Sequence, residues 1–244
     1  MSSITPEKQR LSGFQSEKGF TVWHFDPNFA AVIIDLLIKC APDRFVETGT
    51  YRAETIRWIA NRFPALPIFS TEINPNFYAK SVKACRLYGT ISISNMSSPD
   101  FLKDMYERLS SGLSVFWLDA HWGDYLPLRD ECKIISSLDR YVIIIDDFET
   151  RNPKFDGDFH ETDGGVTSRR NFNVNLEYVS DLLGRRCLVP NYHPIKVSPV
   201  YKFVQRYVNG LTPFRMVKGY KGYGIFVKGV TYDPPHFLKE ETLE

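Results

Sequence analysis

Cysteine is scarce in this 244-residue chain, and its four copies, Cys40, Cys85, Cys132 and Cys187, lie far apart. No CxxC pair occurs and no histidines follow at finger spacing, which excludes a standard zinc module and leaves no disulfide framework. Charge of one sign is also lacking. Thirty basic against 29 acidic residues leave a formal net charge of +1, so no basic excess provides a nucleic-acid surface. The pairs Arg169-Arg170 and Arg185-Arg186 read as solvated faces. Long hydrophobic runs are missing too. The nearest, "FAAVIIDLLIKC", is broken by Asp35 and has the length of a buried helix, and the opening "MSSITPEKQRLSGFQSEKGF" has no apolar signal core. These absences together predict a reduced, cytoplasmic chain that needs no membrane and no nucleic acid.

With 43% hydrophobic and 24% charged residues, the composition is that of an ordinary globular domain. Residues 1–27 read as a polar arm, 28–232 as one domain and 233–244 as a tail. From "RFVE" onward, short apolar runs alternate with amphipathic stretches: "PIFSTE", "TISISN", "SVFWLD" and "YVIIID" are separated by segments of helical period. That alternation predicts βαβ units in a doubly wound, Rossmann-like α/β fold, its parallel sheet covered on both faces. After Asp147 the pattern lapses. The polar, glycine-containing stretch over 150–171 is too long for a connector and reads as a lid.

In such sheets ligands bind beyond the carboxyl ends of the strands. Four strand ends carry informative residues. "VETGTYRAET" puts Glu47, Gly49 and Thr50 at a strand-to-helix turn, where a glycine lets the backbone approach a ligand. The spacing E-x-G-x-x-x-A-x-T has Ala53 where a second glycine would stand, which counts against a pyrophosphate cofactor. Glu72, 23 residues after Gly49, ends the second strand in "STEINPNF" with Ile73 beside it. An acid there can accept from both hydroxyls of a ribose, or alternatively help to start the helix at Pro75. Asn95 and Met96 follow the third strand, where an adenine could lie. Strands four and five then end in Asp119 and in Asp146-Asp147, three carboxylates on one rim. A hard divalent cation relieves their repulsion, and all-oxygen ligands without histidine or cysteine favour Mg²⁺. One acid would fit helix capping easily; three fit it poorly.

In this order, "VETGTYRAET", "STEINPNF", "FWLDAHWGDYLP" and "VIIIDDF" resemble the class I S-adenosylmethionine-dependent O-methyltransferases that use a divalent metal. The catechol and caffeoyl-CoA enzymes are the nearest echo, with macrocin-type sugar O-methyltransferases also similar. The resemblance spans about residues 30–150. It implies a seven-stranded sheet with the last strand antiparallel, S-adenosylmethionine and Mg²⁺ as cofactors, and a small-molecule hydroxyl as acceptor. It also implies Asp119, Asp146 and Asp147 as metal residues and Asp119 as part of the catalytic centre. The catechol enzyme's lysine, three residues after the aspartate, is Trp122 here, leaving His121 or His160 as candidate base. Trp122, Tyr125 and Phe148 are expected to wall the acceptor pocket. A second copy of the chain, as homodimer partner, is compatible with this reading. Two rivals stand beside it: a nucleotide-dependent oxidoreductase using the same ribose acid, and a non-catalytic Rossmann-like module.

Overall fold

The computed structural model describes residues 26–121, 125–152, 155–156, 159–161, 167–169, 174–192 and 220–243. The expectations for the N-terminal arm, for Trp122 and for most of the 150–171 loop fall outside them.

Local chemistry sets the first elements. The Asp26 carboxylate accepts from the backbone N–H groups of Asn28 (2.9 Å) and Phe29 (3.3 Å), and Pro27 follows at the first helical position, starting α1 (Pro27–Cys40). Its apolar stripe of Phe29, Val32, Ile33, Leu36 and Leu37 is buried. Ala41, at φ 44°, ends the helix in a left-handed turn.

Then strands and helices alternate as expected: β1 (Arg44–Thr48), α2 (Glu54–Arg62), β2 (Ile68–Thr71), α3 (Pro75–Cys85), β3 (Ile91–Ser94), α4 (Ser98–Asp104), α5 (Tyr106–Leu109), β4 (Ser114–Leu118), α6 (Leu128–Ile135) and β5 (Tyr141–Ile145). The region read as a lid carries β6 (Phe155–Asp156), β7 (Phe159–Glu161) and β8 (Thr167–Arg169). There follow α7 (Leu176–Leu183), β9 (Arg186–Pro190), β10 (Tyr220–Lys221), β11 (Gly224–Lys228) and β12 (Leu238–Thr242).

The main sheet has eight strands in the order β12-β9-β11-β5-β4-β1-β2-β3. Strands β1 to β5 run parallel, and β11 lies antiparallel between β5 and β9. The eighth strand is the difference from the expected seven. Leu238–Thr242, inside the stretch read as a tail, pairs antiparallel with β9 because its backbone completes an otherwise open edge. Small pairings β6–β10 and β7–β8 stand apart from the main sheet.

Alternation along the central strands divides the core. Phe45, Val115, Trp117, Val142 and Ile144 face α1 and α2, whereas Val46, Phe116, Leu118, Ile143 and Ile145 face α4, α6 and α7. Both faces are therefore covered and the strands read as continuous apolar runs. All four cysteines are buried and free. Among the described residues no helix is long and apolar enough to cross a membrane.

Candidate active site

The sheet's crossover lies between β1 and β4, which are hydrogen-bonded neighbours although β2 and β3 intervene in sequence. The register pairs Thr48 with Leu118 and Leu118 with Ile145, so the next residues, Gly49, Asp119 and Asp146, emerge side by side. The Asp119 N–H donates to the Thr48 carbonyl and the Asp146 N–H to the Leu118 carbonyl, both at 3.1 Å. A carboxylate oxygen from each of Asp119, Asp146 and Asp147 lies within 4.8 Å of the others. Asp147 holds this position with φ 54°, a left-handed backbone that aspartate tolerates better than most residues.

The turn after β1 curls tightly. Gly49 has φ 89°, and a Cβ there would stand 2.9 Å from the Asp119 carbonyl oxygen, so glycine is required twice over. Tyr51 and Ala53 also have positive φ, 46° and 58°. Ala53 thus occupies a conformation natural to glycine, which is the physical content of its departure from the usual motif.

A cavity of about 450 Å³ opens at this rim, a size suited to a nucleoside-based ligand. Gly49, Glu72, Ile73, Met96, Asp119 and His121 line it, bringing together six residues expected at the site. The Glu72 carboxylate is held from both sides: Oε2 accepts from the Tyr51 N–H at 2.7 Å and Oε1 from the Asn74 N–H at 2.8 Å. Each oxygen keeps a lone pair for a further donor. The alternative helix-starting role belongs to Asn74, whose side chain accepts from Asn76 N–H and Phe77 N–H.

Two expected cofactor contacts, Glu47 and Thr50, are buried behind the wall instead. Glu47 is 2% exposed, and its Oε2 accepts from the Ser70 hydroxyl at 2.6 Å. Thr50 shares a 2.6 Å hydrogen bond with the same hydroxyl. Burial lifts the Glu47 carboxyl to about 8 against the opposing pull of Ser70 and Thr55. The exposed Asn95 turns its amide onto the carbonyls of Glu72 (2.6 Å) and Ile73 (3.2 Å), two residues of the cavity lining, and so braces the strand end.

The expected acceptor wall also changes. Phe148 is fully buried and packs edge-on to Phe226 at 6.1 Å; an apolar ring next to β11 gains more from the core than from solvent. Tyr125 is exposed and donates its hydroxyl to Asp130. His121 is exposed at the cavity. His160 lies in β7, and its side chain is outside the described residues.

Sequence reasoning missed Tyr51, Phe77 and Ser98, which also line the cavity. The rings of Tyr51 and Phe77 meet edge-on at 4.6 Å. Tyr51 stands two residues after Gly49 in the quoted motif, so its place was readable there. Phe77 lies one turn into α3, and only the fold brings the two rings together.

No protein-family profile matches the chain, and no curated protein matches it. Among solved structures it is similar to the spermidine synthase of Thermotoga maritima, with 9% identity over 85% of this chain and 61% of that one and a TM-score of 0.50. It is also similar to a provisionally assigned caffeoyl-CoA O-methyltransferase from Staphylococcus aureus, at 13% identity over 91% and 97% of the two chains and a TM-score of 0.48. A plantazolicin methyltransferase solved with S-adenosylhomocysteine shares 12% identity over 93% and 92%, with a TM-score of 0.46. At such identities a likeness concerns architecture. Strand order, the antiparallel β11 and the helices on both faces define an α/β, Rossmann-like fold with a mixed, mostly parallel sheet.

Proposed function

We propose that this chain is an S-adenosylmethionine-dependent methyltransferase that methylates a hydroxyl oxygen of a small-molecule or sugar acceptor with the aid of a divalent cation, Mg²⁺ by preference. The observation that carries the reading is the double membership of Asp119. It lines the cavity that contains Glu72, and it belongs to the three-carboxylate cluster with Asp146 and Asp147. A nucleoside cofactor and a cation would therefore meet at one residue. A plain binding surface has no use for three acids so close together, and all-oxygen donors suit a hard cation.

In this reading Glu72 receives the ribose hydroxyls on the lone pairs left by the Tyr51 and Asn74 amides, and Ile73 and Met96 flank the adenine. Asp119, Asp146 and Asp147 hold the cation. S-adenosylmethionine supplies the methyl group, and a bound Mg²⁺ supplies Lewis acidity toward the acceptor hydroxyl. The protein's share of the chemistry is then positioning and exclusion of water. His121, exposed at the cavity, is the described candidate to take the hydroxyl proton.

Calorimetric titration with S-adenosylmethionine, with and without Mg²⁺, tests this directly. Binding that strengthens with Mg²⁺ supports both parts of the reading. Binding of NAD in place of S-adenosylmethionine would transfer the cavity to the oxidoreductase alternative.

A further inference from the structure

Two buried hydroxyls stand between the cavity wall and the core: Ser70 on β2, and Thr50 in the turn after β1. Ser70 gives its only proton to Glu47 Oε2 at 2.6 Å. Its lone pairs are left for Thr50, whose hydroxyl lies 2.6 Å away and donates in turn. The sheet register sets this up, since Glu47 and Ser70 are paired across β1 and β2. Two short, directional bonds therefore run from a buried carboxyl to one residue of the turn.

That turn needs holding. Gly49, Tyr51 and Ala53 all have positive φ, and in residues other than glycine such backbone persists only where the surroundings impose it. Ala53 starts α2 without a side-chain cap. Three successive residues at the end of β2 grip the turn instead. The Thr71 carbonyl accepts from the Gly49 and Thr50 N–H groups, both at 3.0 Å. Glu72 Oε2 accepts from the Tyr51 N–H at 2.7 Å. Ser70 accepts from Thr50, the one hydrogen bond that a side chain of residues 49–53 makes among the described residues. Ser70 and Glu72, two residues apart on an extended chain, face the same way. The side of β2 that fixes Thr50 thus also offers the carboxylate to Tyr51.

We propose that Ser70 and Thr50 are positioning residues: their hydroxyl-to-hydroxyl bond holds the Tyr51 N–H on Glu72 and thereby aims the Glu72 carboxylate at the ribose of the cofactor. The inference rests on the reading of the cavity as an S-adenosylmethionine site. Thr50 and Tyr51 are consecutive, so a shift of the one moves the amide of the other. Without the hydroxyl tie the turn relaxes, the Tyr51 N–H leaves Oε2, and Glu72 is restrained by the Asn74 N–H alone. A carboxylate free to rotate must be ordered when the ribose binds, and affinity falls with that loss of preorganisation. Glu47, buried and out of reach of a ligand, gains a role as well. As the acceptor at the end of the chain it takes the Ser70 proton and leaves Ser70 to accept from the turn.

The test compares two ligands, S-adenosylhomocysteine and its analogue lacking both ribose hydroxyls, titrated calorimetrically into wild type, Thr50→Val, Ser70→Ala and the double variant. Wild type should prefer the hydroxylated ligand at least tenfold, because a site built to bond a hydroxyl rejects the analogue without it. Thr50→Val removes one hydroxyl at constant shape and leaves the Ser70–Glu47 bond in place; it should cut that preference at least threefold. Ser70→Ala should cut it as much, and the double variant no further than Ser70→Ala, since both changes break the same bond. A purely structural pair would weaken both ligands alike. A preference that Thr50→Val cuts less than threefold therefore overturns the proposal, and so does a double variant in which the two losses add. Should Ser70→Ala fail to fold, Thr50→Val decides alone at the same threshold. A wild type that binds neither ligand, or falls short of the tenfold preference, removes the ribose reading instead. Amide hydrogen exchange at Tyr51 in the unliganded protein then judges the tie: exchange at least tenfold faster in Thr50→Val sustains it, and a smaller change ends it.

Discussion

Gly224 lies flat against the ring of Phe148: a Cβ at Gly224 would stand 3.0 Å from three ring carbons. Two residues earlier, a Cβ on Gly222 would lie 2.1 Å from the Phe148 carbonyl oxygen, and the Phe148 N–H donates to the Gly222 carbonyl at 2.9 Å. On the other side, the Glu149 N–H donates to the Val174 carbonyl at 2.6 Å. The turn that carries Asp146 and the left-handed Asp147 is thus clamped by chain segments remote in sequence.

That clamp predicts a rescue. Gly224→Ala overpacks the contact and should lower stability by about 1–3 kcal/mol, with weaker Mg²⁺ binding through displacement of Asp147. Adding Phe148→Leu makes room for the new methyl and should recover most of the loss. Gly222→Ala meets backbone, which truncating a side chain cannot relieve, so Phe148→Leu should not rescue it. Denaturant melts and Mg²⁺ titrations of the single and double variants measure this; equal behaviour of the two glycine variants would remove the clamp argument.

Glu72→Ala should weaken S-adenosylmethionine binding by roughly 2–4 kcal/mol, the worth of two charge-assisted hydrogen bonds. Glu72→Gln should also be damaged, because a glutamine nitrogen cannot accept from the Tyr51 or Asn74 N–H groups that hold the native carboxylate. Calorimetry on folded variants decides the matter, and undiminished affinity would strip Glu72 of the ribose role.

Cation chemistry should outweigh any single base. Asp146→Asn is expected to lower turnover more than His121→Ala or His160→Ala, measured at saturating S-adenosylmethionine and metal once an acceptor is found. Lewis-acid stabilisation is worth several kcal/mol, against ~10²–10⁴-fold for one general base. Full activity in excess chelator, or a deeper defect in His121→Ala while the cation still binds, would reverse this order.

Stability should fall as pH rises. Burial raises Glu47 from its usual 4.5 to about 8 and Glu131 from 4.5 to about 7. Between those limits the folded chain keeps protons that the unfolded chain releases, so rising pH favours unfolding across the window from about 4.5 to 8. Glu47→Gln should therefore melt higher than wild type at pH 8, with the difference shrinking toward pH 4.5. A wild-type melting temperature that climbs over this range would contradict the assignment.

The sequence by itself determined the order of strands and helices through β5, because apolar runs and amphipathic periods are local patterns that survive without neighbours. It also placed Asp119, Asp146 and Asp147 at strand ends, where an apolar run turns acidic. The tertiary structure decided which way each side chain turns. Glu47, Thr50 and Asn95 share those strand ends with Gly49, Glu72 and Met96, yet the first two bond to the buried Ser70 and Asn95 to the Glu72 and Ile73 carbonyls. No local pattern distinguishes the two sets, since the choice depends on hydrogen-bond partners 20 or more residues away. Strand β12 and the clamp of Gly222 and Gly224 on Phe148 were hidden for the same reason. Edge pairing and close backbone approach are contacts between distant segments, and only the packed sheet makes them favourable.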